Sequence, residues 1–95
     1  MINRIHVSGE NKGHVLVYAL STCGWCRKTK NYLNELGVAY DYIDVDLVEG
    51  ADEEEVLNEI SKFSKQGSFP TTVINNQDCV VGYNPDRLKE LLFND

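Results

Sequence analysis

Thr22-Cys23-Gly24-Trp25-Cys26-Arg27-Lys28-Thr29-Lys30 is the stretch of sequence that decides the fold. Its two cysteines are separated by two residues and stand between an apolar run and a segment with helical periodicity. A Cys-x-x-Cys pair at such a junction is typical of a centre for thiol–disulfide exchange. We therefore expect the rest of the chain to be arranged around these two sulfur atoms.

The first cysteine is predicted to lie at the start of a helix. Unpaired amides and the helix dipole would favour a negative charge on Cys23 there, which lowers the pKa of its thiol. Arg27, Lys28 and Lys30 add positive charge nearby. Cys26, one turn further on, would be less exposed and less nucleophilic. Cys23 is thus the predicted attacking sulfur, and Cys26 the sulfur that resolves a mixed disulfide.

The chain before this stretch supplies a buried strand. Residues 14–20 are almost continuously apolar and include β-branched and aromatic side chains, which predicts a central strand buried on both faces. Residues 2–7 alternate between apolar and polar side chains, and residues 8–13 are rich in turn formers. We therefore expect an N-terminal arm or short strand over residues 1–13 and one domain over residues 14–95.

A strand–helix–strand unit surrounds the cysteine pair. Ser21 and Thr22 can cap the helix, and Gly37 can end it in the left-handed conformation. The predicted inner face of this helix carries Cys26, Thr29, Leu33 and Leu36. Residues 39–45 alternate as a second strand, which a right-handed crossover makes parallel to the first.

A second helix follows in an acidic part of the chain. It is predicted to begin at Asp52, with Glu55 at capping-box spacing, and to end at Gly67. Its predicted buried stripe comprises Val56, Leu57, Ile60 and Phe63. Residues 41–59 contain no basic residue. The favoured interpretation is a solvated helix face, and the alternative is a docking surface for a basic partner protein.

A hairpin and a third helix complete the chain. Residues 71–74 and 79–81 are predicted strands of an antiparallel pair. Asn84 is the predicted N-cap of the last helix and Pro85 its first residue; its predicted inner face carries Leu88, Leu91 and Leu92. The order β-α-β-α-β-β-α predicts an α/β fold with a mixed four-stranded sheet and helices on both faces. Residues 2–7 can add an extra edge strand.

Composition and charge limit the class of protein. The 95 residues carry a net charge of −6, which argues against a nucleic-acid-binding protein. No apolar run approaches the roughly 20 residues that span a bilayer. The N-terminus lacks the hydrophobic region of a signal peptide, and three cysteines are too few for a secreted disulfide scaffold. We expect a cytoplasmic monomer that binds neither nucleic acid nor membrane.

The cysteines permit other interpretations. A zinc site usually takes four Cys or His ligands, and beyond the pair only Cys79, His6 and His14 remain. None of these forms a second closely spaced pair, so we expect no metal site. A structural disulfide within one helical turn would contribute little stability in a reducing cytosol. Cys79 is expected to be a small core residue, and both histidines are expected at the surface or in a hairpin.

Three separated motifs together resemble the thioredoxin fold: Cys23-Gly24-Trp25-Cys26, Ser68-Phe69-Pro70 and Gly82-Tyr83-Asn84-Pro85-Asp86. The chain length and the Gly82-Tyr83 turn make the glutaredoxin branch the more similar one, and the resemblance covers residues 14–93. It implies a thiol–disulfide oxidoreductase that acts on protein disulfides. It also implies a cis peptide bond before Pro70, which would present the Phe69 N–H and C=O to a substrate chain.

The resemblance identifies a set of candidate site residues. The catalytic residues would be Cys23 and Cys26. The substrate-binding residues would be Thr22, Gly24, Trp25, Phe69, Pro70, Gly82 and Tyr83. The redox group would be the Cys23–Cys26 disulfide itself, with no tightly bound cofactor.

Two departures from the family pattern bear on the electron donor. The first is Leu20, which stands where glutathione-using glutaredoxins, typically with a Cys-Pro-Tyr-Cys motif, have a lysine. The second is Pro85, which removes a backbone donor from a helix N-terminus. Residues 82–88 instead resemble the Gly-Phe-x-Pro-Asp-x-Leu turn of NrdH-type redoxins, which donate electrons to ribonucleotide reductase and are reduced by thioredoxin reductase. We therefore expect a thioredoxin-reductase-type donor, with glutathione as the alternative reductant. An alternative of another class is a non-enzymatic iron–sulfur or metal-binding protein that uses the same thiols.

Overall fold

A five-stranded mixed sheet and three helices make up the part of the chain that this computed structural model describes, residues 4–64 and 68–93. The elements are β1 (Ile5–Val7), β2 (Val15–Ala19), α1 (Gly24–Leu36), β3 (Tyr40–Asp44), a 3-10 helix (Val45–Leu47), α2 (Ala51–Ser61), β4 (Thr71–Ile74), β5 (Asp78–Val81) and α3 (Pro85–Phe93). The strands lie in the order β1-β3-β2-β4-β5. The predicted α/β fold with a mixed sheet is confirmed, and the fifth strand, β1, is the extra N-terminal edge strand that the sequence allows.

β2 is the central strand, as its apolar sequence predicts. All five of its residues are buried, and it pairs with β3 in parallel and with β4 antiparallel. Because β2 and β3 are parallel, the segments that follow them lie at the same edge of the sheet. The cysteine pair follows β2 at this edge.

The sheet separates two hydrophobic cores. α1 and α3 contribute Leu33, Leu88 and Leu92 to the core on one face. α2 contributes Val56 and Ile60 to the core on the other face. Alternate residues of β2 point into the two cores, as expected for a strand with a helix layer on each side. The prediction of helices on both faces is confirmed.

The N-terminal segment belongs to the sheet. β1 pairs antiparallel with β3, which confirms an extra edge strand over residues 5–7; residues 2 and 3 lie outside the described residues. After β1, the Glu10 N–H donates to the Gly37 carbonyl at 2.8 Å, and the Ala39 N–H donates to the Glu10 carbonyl at 2.9 Å. These bonds tie the end of the arm to the segment between α1 and β3.

The start of α1 differs from the prediction. Cys23, and not Ser21 or Thr22, is the N-cap, since it has an extended backbone and its sulfur accepts the capping hydrogen bond. Ser21 is engaged elsewhere because its hydroxyl donates to Asp46. The end of the helix is as predicted: Gly37 is left-handed, with a φ of 71°.

Three features of α2 also differ from the prediction. Gly50 is the N-cap and makes no side-chain capping hydrogen bond, and Asp52 lies inside the first turn and not at the predicted helix start. Leu57 is 47% exposed and not part of the buried stripe, because it is rotated by about 100° from the buried residue before it. Phe63, beyond the end of α2, packs against the core while half-buried. The predicted helix end at Gly67 lies outside the described residues.

The hairpin and the start of α3 are as predicted. β4 and β5 pair antiparallel, and the turn between them contains Asn75 and Asn76 with φ values of 55° and 56°. Asparagine tolerates this left-handed conformation better than most residues. Asn84 caps α3 by accepting a hydrogen bond from the Arg87 N–H at 3.1 Å, and Pro85 is the first helical residue.

Candidate active site

A tight turn carries the chain from β2 into α1. The Cys23 N–H donates to the Leu20 carbonyl at 3.3 Å. Asp46 holds the turn from outside, since its carboxylate accepts hydrogen bonds from the Ser21 N–H at 2.8 Å and from the Ser21 hydroxyl at 2.5 Å. Asp46 lies in the 3-10 helix after β3, which the parallel pairing places at the same sheet edge.

Cys23 is half-buried at the N-terminus of α1. Its sulfur accepts a hydrogen bond from the Cys26 N–H at 3.3 Å. Partial burial raises the pKa of Cys23, but hydrogen bonds from the Cys26 thiol and from the Cys26 and Trp25 amides, together with the Lys30 cation, outweigh it. The resulting pKa lies below the ordinary value of a cysteine, in the direction that the sequence predicts.

Cys26 has the opposite character. Its relative exposure is 0%, and its sulfur accepts a hydrogen bond from the Leu20 N–H at 3.4 Å. Burial, followed by its hydrogen bond to Cys23, raises the pKa of Cys26 to about 12. The predicted difference in exposure is confirmed, and Cys23 is the more readily ionised of the two thiols.

Lys30 places a cation beside both thiols. It follows Cys26 by one helical turn, and residues at this spacing are neighbours on a helix surface. Its Nζ lies 3.2 Å from Asp44 Oδ1 and 3.8 Å from the centroid of the Tyr42 ring. The Lys30 charge contributes to lowering the pKa of Cys23, and on Cys26 it acts against the larger effect of burial.

The peptide bond between Phe69 and Pro70 is cis, as predicted. Pro70 is buried, and its carbonyl accepts a hydrogen bond from the Gly82 N–H at 2.7 Å. Gly82 has a φ of 78°, a conformation that favours glycine. Phe69 packs against the same core as Cys23. Its backbone N–H and C=O form no hydrogen bond with any other described residue.

An aromatic cluster borders the cysteine pair. Trp25 is 58% exposed and stacks on Tyr83, with ring centroids 6.1 Å apart. Tyr32 meets Tyr83 edge-on, with centroids 6.5 Å apart. Lys28 Nζ lies 4.6 Å from the centroid of the Trp25 ring. Trp25 and Tyr83, both predicted to bind substrate, are therefore neighbours.

The remaining predicted residues lie at the same end of the sheet. Thr22 is exposed, and a Cβ atom placed on Gly24 would meet no atom within 4 Å, so the N-terminus of α1 is open. The register of β2, β4 and β5 brings the segments before β4 and after β5 next to the end of β2. The residues gathered there are Thr22, Cys23, Gly24, Trp25, Cys26, Phe69, Pro70, Gly82 and Tyr83.

The residues outside this group differ partly from expectation. Cys79 is half-buried on the edge strand β5 and not a core residue, and burial raises the pKa of its thiol. His6 and His14 are exposed, as predicted, and His6 Nδ1 lies 2.7 Å from Asp41 Oδ1. Among the described residues, no group of three or more His, Cys, Asp or Glu side chains is arranged to hold a metal ion. No helix in this part of the chain combines the length and hydropathy needed to cross a membrane.

Three residues of the site were not predicted. Asp44 is the last residue of β3, and Asp46 follows that strand. The carboxyl end of β3 adjoins that of β2 because the two strands are parallel. The predicted parallel unit therefore contained the signal that could have identified both carboxylates. Tyr32 carried no such signal, since its role in the aromatic cluster depends on where Tyr83 packs.

Comparison with known proteins places the chain among redox proteins. The sequence model of the glutaredoxin family matches residues 15–79. The structure is similar to that of the glutaredoxin from Methanosarcina mazei Go1, with a TM-score of 0.89 and 47% identity over 95% of this chain and 87% of that one. It is also similar to methanoredoxin from Methanosarcina acetivorans, with a TM-score of 0.87 and 40% identity over 90% of each chain.

A curated relative gives the same result at the level of sequence. The uncharacterized glutaredoxin-like 8.6 kDa protein in the rubredoxin operon of Clostridium pasteurianum is 32% identical over 78 residues. The match covers 82% of this chain and 96% of that protein. A matched segment of 78 residues in a chain of 95 necessarily contains the cysteine pair.

Proposed function

This chain belongs to the glutaredoxin family, and from that premise we propose that it is an enzyme that reduces protein disulfides with the Cys23/Cys26 dithiol. Thiol–disulfide redox chemistry is general in this family. The observation that carries the proposal is the difference between the two thiols: the pKa of Cys23 is lowered, whereas that of Cys26 is raised to about 12. The thiolate is the attacking species, so this difference favours Cys23 as nucleophile.

The first step is attack by the Cys23 thiolate on one sulfur of the substrate disulfide. A bond forms between Cys23 Sγ and that sulfur, the substrate S–S bond breaks, and the departing thiolate takes up a proton. The Trp25 and Cys26 amides that stabilise the thiolate also hold its sulfur at the open N-terminus of α1.

The second step resolves the mixed disulfide through Cys26. Burial is the main cause of the raised Cys26 pKa, but the hydrogen bond to Cys23 and the charge on Cys23 contribute to it. Both contributions disappear once Cys23 is bonded to substrate, so the Cys26 thiol becomes more acidic at the moment when it must react. It loses its proton and attacks Cys23 Sγ. The Cys23–Cys26 disulfide forms, the second substrate thiolate leaves, and two electrons have passed to the substrate.

The backbone of Phe69 offers hydrogen-bonding groups that could hold the substrate chain. Its N–H and C=O lack partners within the described residues and lie on the segment before β4. Such groups can pair with an extended chain as a short strand addition. The Gly82 N–H donates to the Pro70 carbonyl at 2.7 Å, which ties the turn before Tyr83 to the segment that follows Phe69. Thr22, Gly24 and Trp25 would border the same substrate chain.

We further propose a thioredoxin-reductase-type electron donor, with glutathione as the alternative. Leu20 packs against both cores at the position where glutathione-using relatives have a lysine. At the N-terminus of α3, Pro85 has no N–H, and Asn84 already accepts the Arg87 N–H. These features remove a cation and two backbone donors that could hold the carboxylates of glutathione.

Single-cysteine variants test the dithiol mechanism. Cys23→Ser should abolish reduction of a protein disulfide, and Cys26→Ser should accumulate a mixed disulfide with the substrate that non-reducing electrophoresis and mass spectrometry detect. Cys79→Ser is the matched control and should retain turnover. Full reductase activity in Cys23→Ser would falsify the mechanism.

A comparison of reductants tests the donor. The oxidised protein is incubated with thioredoxin reductase and its nicotinamide cofactor, or with glutathione and glutathione reductase. Faster reduction by the first system is expected, and faster reduction by glutathione would overturn the donor proposal alone.

We also propose that the protein acts as a cytoplasmic monomer whose redox group is the Cys23–Cys26 disulfide, without a tightly bound cofactor. Light scattering measures its mass, fractionation measures its location, and visible absorbance after anaerobic purification detects an iron–sulfur cluster. A stoichiometric cluster held by the same thiols would favour the alternative class of protein.

A further inference from the structure

A groove runs along α1, away from the cysteine pair. It lies between the helix and the turn after β5, has a volume of about 280 Å³ and is lined by Lys28, Asn31, Tyr32, Glu35 and Tyr83. We call this set of residues the α1 groove. The exposed Trp25 ring, stacked on Tyr83 at 6.1 Å, continues its wall towards Cys23. A chain bound at Cys23 can therefore extend into the groove without leaving the protein surface.

The end of the groove near the cysteines is positively charged. Arg27 and Lys28 are exposed, and neither forms an ion pair with a described residue. Lys30 differs, because its ammonium is engaged by Asp44. In a protein with a net charge of −6, these two cations lie on α1 within five residues of Cys23, and the Lys28 ammonium is 4.6 Å from the centroid of the Trp25 ring. They offer a local attraction for a carboxylate that the rest of the acidic surface does not.

The middle and the far end of the groove have different chemistry. Tyr32 and Tyr83 meet edge-on in the middle and present ring surface to an apolar side chain. Glu35 lies at the far end, seven residues and thus about 10 Å along the helix from Lys28. An extended chain of about three residues covers this distance. The order along the groove is cationic, aromatic, anionic.

We propose that the α1 groove selects protein disulfides in which an acidic residue lies near the reactive cysteine and an aromatic residue lies beyond it. This inference rests on the proposed function and names its substrate class. The occupant is the segment of the substrate protein that flanks its cysteine. Its carboxylate meets Lys28, and its ring packs against Tyr32 and Tyr83. A basic residue in place of the acidic one would face Lys28 and Arg27 and be disfavoured by like-charge repulsion.

Synthetic peptide disulfides test this selection. Each peptide carries one cysteine, linked to 2-mercaptoethanol, with a glutamate about two positions away and a phenylalanine next beyond it, on either the N-terminal or the C-terminal side. Matched peptides replace the glutamate by lysine or the phenylalanine by alanine. The fully reduced protein should react with the glutamate–phenylalanine peptide roughly two- to fivefold faster than with the lysine peptide, in at least one chain direction. High salt should reduce this ratio.

A charge-reversal variant assigns the effect to the groove. Lys28→Glu should lower or invert the ratio of rates for the glutamate and lysine peptides. Lys89→Glu makes the same charge change on an exposed position of α3 and should leave the ratio at the wild-type value. With the wild-type protein, the peptide that carries alanine in place of phenylalanine should react more slowly.

The outcomes separate this inference from the proposed function. Equal rates for all peptides in both directions, with a neutral small disulfide still reduced, would overturn the α1 groove proposal and leave the reductase proposal intact. A ratio that Lys28→Glu and Lys89→Glu change equally would also overturn it, because the selection would then reflect net charge. No reduction of any disulfide would overturn the proposed function and this inference with it.

Discussion

Lys30 Nζ lies 3.2 Å from Asp44 Oδ1, one helical turn beyond the buried Cys26. The pair is largely withdrawn from solvent, with 21% and 16% of the two side chains exposed, and the Tyr42 ring covers the ammonium at 3.8 Å. Asp44 therefore fixes the position of a cation beside the two sulfurs. Negative charge moves between these sulfurs during the proposed reaction, so the position of Lys30 matters for both steps.

Loss of the Lys30 charge should slow the reaction of Cys23. In Lys30→Met, the pH profile for alkylation of Cys23 by iodoacetamide should shift to higher pH, because the cation that helps to lower the Cys23 pKa is gone. At neutral pH, the rate should fall by roughly 1.5- to fivefold, the range that partly exposed charge pairs produce. Site-resolved mass spectrometry of the reduced protein measures the profile.

Two further variants control this prediction. Lys30→Arg keeps the positive charge and should restore most of the wild-type profile, whereas Lys89→Met removes an exposed charge from α3 and should leave it unchanged. An identical profile for Lys30→Met and wild type would show that the cation has no influence on Cys23.

The two hydrogen bonds from Ser21 to Asp46 should make stability depend on pH. They lower the pKa of the Asp46 carboxyl, its hydrogen bond from the Ser21 hydroxyl being the largest cause. A carboxylate whose folded pKa lies below its unfolded value stabilises the fold above the unfolded pKa, and this stabilisation is lost as the pH falls through the folded pKa. Wild type should therefore melt at a higher temperature than Asp46→Asn at neutral pH, and the gap should close as the pH falls below 3.8, the ordinary pKa of aspartate.

Circular dichroism melts at several pH values measure this gap. Glu49→Gln neutralises a nearby exposed carboxylate and should produce little difference from wild type at any pH. A gap between wild type and Asp46→Asn that stays constant from neutral to acidic pH would contradict the role assigned to the carboxylate.

Much of the fold follows from signals that are local in the sequence. The continuous apolar run predicts β2, and Asn84 followed by Pro85 predicts the start of α3, because each signal depends on a few adjacent residues. The N-cap of α1 is different. Ser21 is a good capping residue, but Asp46 from another segment takes its hydroxyl, and Cys23 becomes the cap. A tertiary contact overrides the local preference there.

The same distinction applies to the candidate site. The spacing and position of Cys23 and Cys26 predict which thiol is exposed and which direction the Cys23 pKa shifts, since both follow from a helix start. The ion pair of Lys30 with Asp44 joins two elements and could be placed only once β3 was aligned with β2. The α1 groove likewise depends on how Tyr83 packs.

The buried face of α1 should dominate its contribution to stability. Leu33 has a relative exposure of 0% and packs in the core on the α1 side of the sheet, so Leu33→Ala should lower the free energy of unfolding by about 2–5 kcal/mol. Leu57→Ala makes the same change on α2 at a side chain that is 47% exposed, and it should cost less than about 1 kcal/mol. Urea denaturation measures both values. Equal losses of unfolding free energy would contradict the difference in burial between the two residues.

A side chain at Gly9 should detach the N-terminal arm from the domain. A Cβ atom there would lie 2.6 Å from the Val38 carbonyl carbon and 2.7 Å from the Ala39 nitrogen, and backbone atoms cannot move aside as a flexible side chain can. Gly9→Ala should therefore break the bridge through which the Ala39 N–H donates to Glu10 at 2.9 Å, and lower the free energy of unfolding by about 1–3 kcal/mol.

Hydrogen exchange locates this effect. The amides of Glu10 and Ala39 should exchange faster in Gly9→Ala. The amides of the central strand β2 should lose protection only as far as the global free energy of unfolding falls. Ser8→Ala changes the neighbouring exposed residue and should leave both amides protected. Unchanged protection of Glu10 and Ala39 in Gly9→Ala would show that the arm tolerates the added atom. Loss of protection would show that residues before β2 fold as part of the sheet, and that the boundary predicted at residue 13 does not separate an independent arm.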